Sequence, residues 1–524
     1  MPGPNASTAV LASCSLSILI AASPALAQPE PGPEPPPADA GAPPPVEPPP
    51  GPEARPTVPA PAKPEPVAPL PEKPAPAAAP AEPKSPPPSG FAFGSYGRMV
   101  AATDGQGRPG RDADIVAHGS RLDEANYAEL ELRRDDFWTK TDSTTRLVAT
   151  LAIANPVFHY DGDFDIHMAV RNLFLEERDL GAKGLSAWVG SRMYRGDDIY
   201  LLDWWPLDNL NTLGGGVRYD FGPERRTSAA VHMGLNQPDS LFFHQSSPRP
   251  SALNQFGATD VAVLDRQKWI GSLKLQHIVP FGKEAGLKGV GWVEMHRLPA
   301  GQRETDPAVF EDVPADDGYV IGGEVGAFSG KRDTHVNLFV RYARGLAAYG
   351  DLVTPYQLAL DRTTSGAHEI SVALGGNWEL GMVGVMVGAY FRSFRDASND
   401  LDAGDIDEGI FAVRPHVFFG EWGGLAVEGS FQAQQRGVVR ASDGGVSQGP
   451  LSAHLFRFGL VPFISPAGRG DYSRPHIRFI WAITARDDAA RALYPRDDVF
   501  GLRKTEHFIG LGAEWWFNSS SYGG

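Results

Sequence analysis

The stretch Leu425-Ala426-Val427-Glu428-Gly429-Ser430-Phe431-Gln432-Ala433-Gln434 decides the fold. Leu425, Val427, Phe431 and Ala433 alternate with Ala426, Glu428, Ser430, Gln432 and Gln434, the period of two of an extended strand with one apolar and one polar face. The design recurs where Val336, Leu338, Val340 and Tyr342 alternate with Asn337, Phe339 and Arg341. It appears again where Ile477, Phe479, Trp481 and Ile483 alternate with His476, Arg478 and Thr484. From Phe91 to Phe517 such segments follow one another, separated by Gly, Asp and Asn clusters, so the expected fold class is all-β. Periodicity alone leaves two architectures open. In a soluble sandwich the apolar faces meet in a shared core, whereas in a membrane barrel they face lipid and the polar faces line water.

Three features favour the barrel. The apolar run from Ala9 to Ile20, followed by Ala25-Leu26-Ala27, predicts a secretory signal over residues 1–27, although no Lys or Arg precedes it. Aromatic residues recur at strand ends, as in interface girdles: Phe418, Phe419 and Trp422, then Trp515 and Phe517. Arg and Glu repeatedly occupy the polar face, where they need water or partners. Roughly 430 residues with strands of about ten residues predict a transmembrane antiparallel β-barrel of about 16 to 20 strands, wide enough for an aqueous lumen. Leu11-Ala12-Ser13-Cys14 superficially matches a lipoprotein site, but most of the apolar run follows Cys14, which favours cleavage after Ala27. The mature chain then lacks cysteine, which removes disulfides, thiol catalysis and Cys-based metal sites.

The rest of the composition bounds the function. With 59 Gly, 48 Pro, a net charge of -16 and a mean hydropathy of -0.24 over 524 residues, the chain is too polar for a helical membrane bundle. Residues 28–88 are almost entirely Pro, Ala, Glu and Gly, with no aromatic residue, and read as a disordered or polyproline-type periplasmic linker. Fully extended at about 3.1 Å per residue, such an arm spans on the order of 190 Å, enough to cross a periplasm. A tether to the cell wall or a periplasmic partner is one reading; a solvated linker without a receptor is the better supported. The barrel domain is expected over 89–517, with a C-terminal tail at 518–524.

Neither H-E-x-x-H nor a phosphate loop is present, and the 13 His are scattered, so neither an enzyme nor a cofactor is expected. Asp161-Gly162-Asp163-Phe164-Asp165 offers the oxygen ligands of a calcium loop without the EF-hand spacing, and a hydrated surface loop is the default, with no metal expected. The acidic balance opposes nucleic-acid binding.

A more specific signal lies in Arg192-Met193-Tyr194-Arg195-Gly196-Asp197-Asp198-Ile199-Tyr200-Leu201-Leu202-Asp203-Trp204-Trp205, which resembles the maltoporin stretch running from a barrel strand into an inward-folded third loop. Further matches keep the family's order: Gly94-Ser95-Tyr96-Gly97-Arg98, Tyr127-Ala128-Glu129-Leu130, Val170-Arg171, Tyr472-Ser473-Arg474-Pro475-His476-Ile477-Arg478 and Glu514-Trp515-Trp516-Phe517. The chain is therefore similar to the maltoporin family from first strand to last, apart from roughly 225 to 330. The resemblance implies an 18-stranded barrel with an inward-folded constriction loop, assembled as a homotrimer in outer-membrane lipid and passing oligosaccharides. It further implies an aromatic ladder of Tyr96, Tyr127, Tyr472 and Trp516, with Trp205 at the constriction where the family has a tyrosine. Beside it would run a polar track of Arg98, Arg121, Glu129, Arg171, Asp198 and Asp203. The chemistry is sound, because pyranose rings present flat C–H faces that stack on aromatic planes while their hydroxyls stay hydrogen-bonded.

Strand parity agrees: Tyr96 shares a face with Arg98, Tyr127 with Glu129 and Trp516 with Glu514, opposite Leu511, Ala513, Trp515 and Phe517. Some positions depart from the family. Its arginine before the constriction falls at Gly196, with Arg195 one position off and on the other face of a regular strand. The mid-ladder phenylalanine falls near His335, whereas Phe339 has lumen parity. Phe158, Tyr160 and Phe164 are candidates for the aromatic that a neighbouring subunit lends. Two functional classes follow: a sugar-selective channel, or a general-diffusion or structural barrel tethered by its Pro-rich arm. A continuous ladder would favour the first.

Overall fold

The computed structural model describes residues 89–519, except 155–166, 223, 251–256, 331–332, 356, 399–403, 438–449 and 495–497. The signal, the Pro-rich arm, the acidic run at 161–165 and the aromatics at 158, 160 and 164 thus lie outside the described residues.

Among the described residues, eighteen strands from Gly90–Thr103 to Thr505–Phe517 form one antiparallel sheet in which each barrel strand pairs with the next. The first also pairs with the last, Tyr96 opposite Trp516 and Arg98 opposite Glu514, so the sheet closes. Closure leaves no edge and pairs the backbone polar groups within the sheet, the condition under which strands can face lipid. Connections are mostly short at one end, as at 139–142 and 282–284, and long at the other, as at 104–126 and 237–267.

The direction of the faces settles the choice between barrel and sandwich. Leu338 and Val340 are each 46% exposed, while their strand neighbours Asn337 and Phe339 are 5% and 1% exposed. Phe431, Ile477, Phe479 and Leu511 likewise point outward, and Glu428, Gln432, Arg478 and Glu514 inward. Apolar side chains form the outer surface and charged ones the interior, the inverse of a soluble protein and the arrangement of a membrane barrel with a polar lumen.

Phe419, Trp422 and Phe517 are exposed at strand ends, as girdle residues are. Phe418 is a correction: adjacent to Phe419 in one strand, it takes the opposite face and packs inside against His416 and Phe463. Trp515 lies over Gly97, where a side chain would collide with the indole, and its Nε1 donates to Ser95 Oγ at 3.0 Å.

The unmatched middle also has a physical explanation. Thr227–Asn236, Lys268–Phe281, Ala285–Leu298 and Asp316–Ser329 are ordinary barrel strands. The connections between them carry two extra hairpins, His244–Pro250 with Ala258–Asp265 and Gly301–Asp306 with Val309–Val313. Arg249 joins the two through Glu304 at 2.6 Å.

Two long connections fold inward. Residues 196–208 bury Ile199, Leu201, Leu202 and Leu207 against the inner wall, and Gly375 and Gly388 make room for Ile199 and Leu201. Burying each large aliphatic side chain contributes about 1.5–3 kcal/mol, so the loop is held by packing as firmly as a small core. Residues 104–126 bury Ala113, Ile115, Val116 and Leu122. There Ile115 N–H donates to Gln432 Oε1 at 2.9 Å, and the His118 ring stacks on Trp204 at 4.5 Å.

Candidate functional site

Local chain geometry places the polar groups first. Between the strands Ser143–Ala154 and His167–Arg178, Thr150 pairs with Asn172 but Leu151 with Val170, so Arg171 is an extra residue in a β-bulge. A bulge re-aims a side chain. Arg171 and its neighbour Asn172 both reach interior partners: Arg171 bonds Glu129 and Tyr127, and Asn172 Nδ2 donates to Thr150 Oγ1 at 3.1 Å. In the third loop, Ile199 N–H donates to Trp204 O at 2.8 Å around a 3₁₀ turn, Tyr200–Leu202, closed by Asp203 at φ 45°.

The rings form a chain around one side of the constriction. Tyr127 lies 6.0 Å from Tyr96. Tyr96 is completely buried, and its hydroxyl accepts from Arg121 at 2.7 Å and Arg98 at 3.0 Å. The Arg121 guanidinium then covers the Tyr200 ring at 4.5 Å. Tyr200 meets Tyr472 edge-on at 5.5 Å and Trp516 at 6.2 Å, and His335 stacks on Tyr472 at 6.1 Å. Tyr127, Tyr472 and Trp516 are partly exposed, so they offer ring surface that Tyr96 does not. Trp205 takes a different position, buried beneath the Arg195 guanidinium, whose centre lies 3.5 Å from the ring centroid.

Charges hold this arrangement. The buried Glu514 carboxylate accepts from Arg474 at 2.9 Å, Tyr200 Oη at 2.7 Å and Arg121 at 3.2 Å. Arg98 bridges Asp203 at 3.3 Å and Glu124 at 3.4 Å, and Tyr127 Oη donates to Glu129 at 2.6 Å. Burial opposes ionisation of Asp203, but Arg121 and Arg98 prevail and hold its carboxyl below the usual range. Asp198, two residues past Gly196, has the opposite balance: burial pushes it up to about 6, against the pull of Arg121 and with the help of Asp203.

A cavity of about 1410 Å³ runs from the constriction, lined there by Arg121, Asp198, Trp205, Tyr472 and Trp516, to the short-turn end at Asp179, Gly184 and Arg225. It exceeds the ~300–1,000 Å³ of typical small-molecule pockets and suits an extended ligand. Of the residues expected from sequence, the structure brings Tyr127, Tyr96, Tyr472 and Trp516 into one ring system and sets Trp205 apart from it under Arg195. Arg98, Arg121, Glu129, Arg171 and Asp203 stand as ion-paired supports, with Asp198 at the cavity wall.

Arg195 also lines the cavity, contrary to its expected parity. Among the described residues its strand stops pairing with His167–Arg178 at Ser191 but stays paired with Asn209–Phe221 as far as Arg195, so its end is held in the sheet from one side. Gly196 is required where it stands, because a side chain there would strike the Asp208 carboxylate. Sequence reasoning missed Tyr200, the ring that joins Tyr472 to Trp516, although it stood within the stretch that carried the family signal. It also missed an inner-wall stack in which Trp188 and Tyr194 lie 5.3 and 5.9 Å from His232, and Tyr194 lies 6.1 Å from Trp292. A run of inward-parity aromatics was the available signal.

A model of the LamB porin family matches residues 91–517. No curated protein matches the chain. Among solved structures it is similar to OmpT of Vibrio cholerae in trimer form, at 12% identity over 82% of this chain and 99% of that one, with a TM-score of 0.38. It is also similar to an anion-selective porin from Comamonas acidovorans, at 11% identity over 82% of this chain and 100% of that one, TM-score 0.38. OpdK of Pseudomonas aeruginosa, solved with vanillate, shares 10% identity over 82% of this chain and 98% of that one, TM-score 0.35. Likenesses this distant contribute nothing to the reading of the site.

Proposed function

Because the chain belongs to the LamB porin family and forms a channel in the outer membrane, we propose that it carries oligosaccharides across that membrane by facilitated diffusion. The observation that supports this most is the run of partly exposed rings Tyr127, Tyr472 and Trp516, linked through Tyr96 and Tyr200, of which Tyr200, Tyr472 and Trp516 border the cavity. Pyranose C–H faces stack on such rings, while the neighbouring Arg, Asp and Glu side chains exchange water for sugar hydroxyls. In a wet channel each exchange is worth little, and weak, repeated binding is what lets a solute enter and leave. Tyr96 serves this path as a buried support for Arg121 and Arg98.

The same reading assigns residues 1–27 to a removed export signal, 28–88 to a periplasmic arm and the assembled state to a homotrimer. Conductance of single channels in a planar bilayer, titrated with maltohexaose and then sucrose, tests it. Saturable and reversible block that weakens in Trp516→Ala supports sugar binding at the ring chain; pores indifferent to every sugar leave a general-diffusion channel.

A further inference from the structure

Arg195 differs from the other basic residues of the cavity. Its neighbours are ion-paired, as Arg146 is with Asp135 at 2.6 Å, Arg192 with Glu176 at 3.3 Å and Arg218 with Asp220 at 2.9 Å. Lys274 and Lys288 are likewise held by Asp208 and Asp197. Arg195 forms no such pair among the described residues. Its Nε donates to the neutral side-chain oxygen of Asn209 at 3.0 Å, one face lies on the Trp205 indole, and its Nη1 has no acceptor.

A guanidinium without a carboxylate partner at the wall of the cavity is a cation that an anion in the lumen can pair. Stacking on an indole and a bond at Nε fix the plane, so the terminal nitrogens keep one orientation. An anionic oxygen matches such a cation better than a neutral hydroxyl does. The acids whose fields reach Arg195 are Asp198 and Asp203. Asp203 is engaged by Arg98, and among the described residues neither acid forms an ion pair with Arg195.

We propose that the Arg195–Trp205 pair is the specificity-determining element of the constriction and that it selects saccharides carrying a carboxylate, uronic-acid-bearing oligosaccharides, over neutral ones. This rests on the sugar-channel reading above and sharpens its substrate class. Trp205 then acts as the platform that holds a cation, while stacking on the sugar falls to Tyr472 and Trp516, which line the same cavity.

The test uses a matched pair of probes in a planar bilayer at low salt: maltohexaose, and the same hexasaccharide with its non-reducing terminal residue oxidised to glucuronate. One charge-assisted bond gained predicts block of the wild-type channel at roughly tenfold lower concentration by the acidic probe. Arg195→Gln should bring the two probes to parity, and Arg195→Lys, which keeps the charge without the planar head fixed by Trp205, should restore part of the difference. Equal or weaker block of wild type by the acidic probe overturns the proposal, as does an undiminished preference in Arg195→Gln. If that variant forms no conducting pore, the wild-type comparison and Arg195→Lys decide. Block by maltohexaose without acidic preference sinks this inference alone, whereas block by neither probe sinks the sugar-channel reading with it.

Discussion

Asp198 and Asp203 sit five residues apart in the third loop and show how single side chains set the channel's charge. Asp203 has Arg98 and Arg121 beside it, which hold its carboxyl below the usual range; Asp198 is half-buried, without an ion-pair partner among the described residues, and burial pushes it up to about 6. A carboxyl with a raised value is charged above that value and neutral below it, so acidification removes a negative charge from the constriction wall. Reversal potentials in a salt gradient should therefore show cation preference falling between about pH 7.5 and about pH 5, with Asp198→Asn abolishing most of the change. An equal pH effect in the variant would assign it to other groups. At this scale much of the site was legible: parity placed Tyr96, Tyr127 and Trp516 on the interior face, where the structure has them. Exposure was not legible, because it depends on residues remote in sequence. Arg121 closes over Tyr96 only once the first long connection, which carries it, has folded inward.

Elements obeyed their periodicity wherever both neighbours were paired, and departed from it where pairing broke. Arg171 gains its interior position from an unpaired extra residue, and Arg195 from a strand end that has lost one neighbour. Neither event leaves a mark in a period-two pattern. The third loop is an element in its own right, seated on wall positions that lack side chains. A Cβ on Gly388 would lie 3.0 Å from Ile199 and 3.2 Å from Leu201, so Gly388→Leu, several atoms larger, should displace the loop from the wall. The expected result is a larger single-channel conductance and loss of sugar block, read in the same bilayer. Unchanged conductance would mean that the loop does not set the constriction.

For the molecule as a whole, the closed sheet and its outward apolar face are the quantities that matter. All-β character and a range of about 16 to 20 strands followed from alternation and length, since each strand had to present one face to lipid and one to water, whereas the number eighteen came from the resemblance to the maltoporin family. The two hairpins beyond the barrel wall were illegible because they belong to connections, which the lipid does not constrain. A charge introduced on the outer face should therefore cost more than one on the inner. Leu338→Arg, near the middle of Thr334–Gly345, is expected to destabilise the folded barrel by about 2–4 kcal/mol in lipid, measured by reversible denaturant unfolding. Destabilisation near zero would indicate that this face is covered by protein instead of lipid. The most direct measurement remains the titration of maltohexaose against single wild-type channels: the account predicts saturable, reversible block, and a current unchanged by maltohexaose, by sucrose and by the glucuronate-ended oligosaccharide would contradict it.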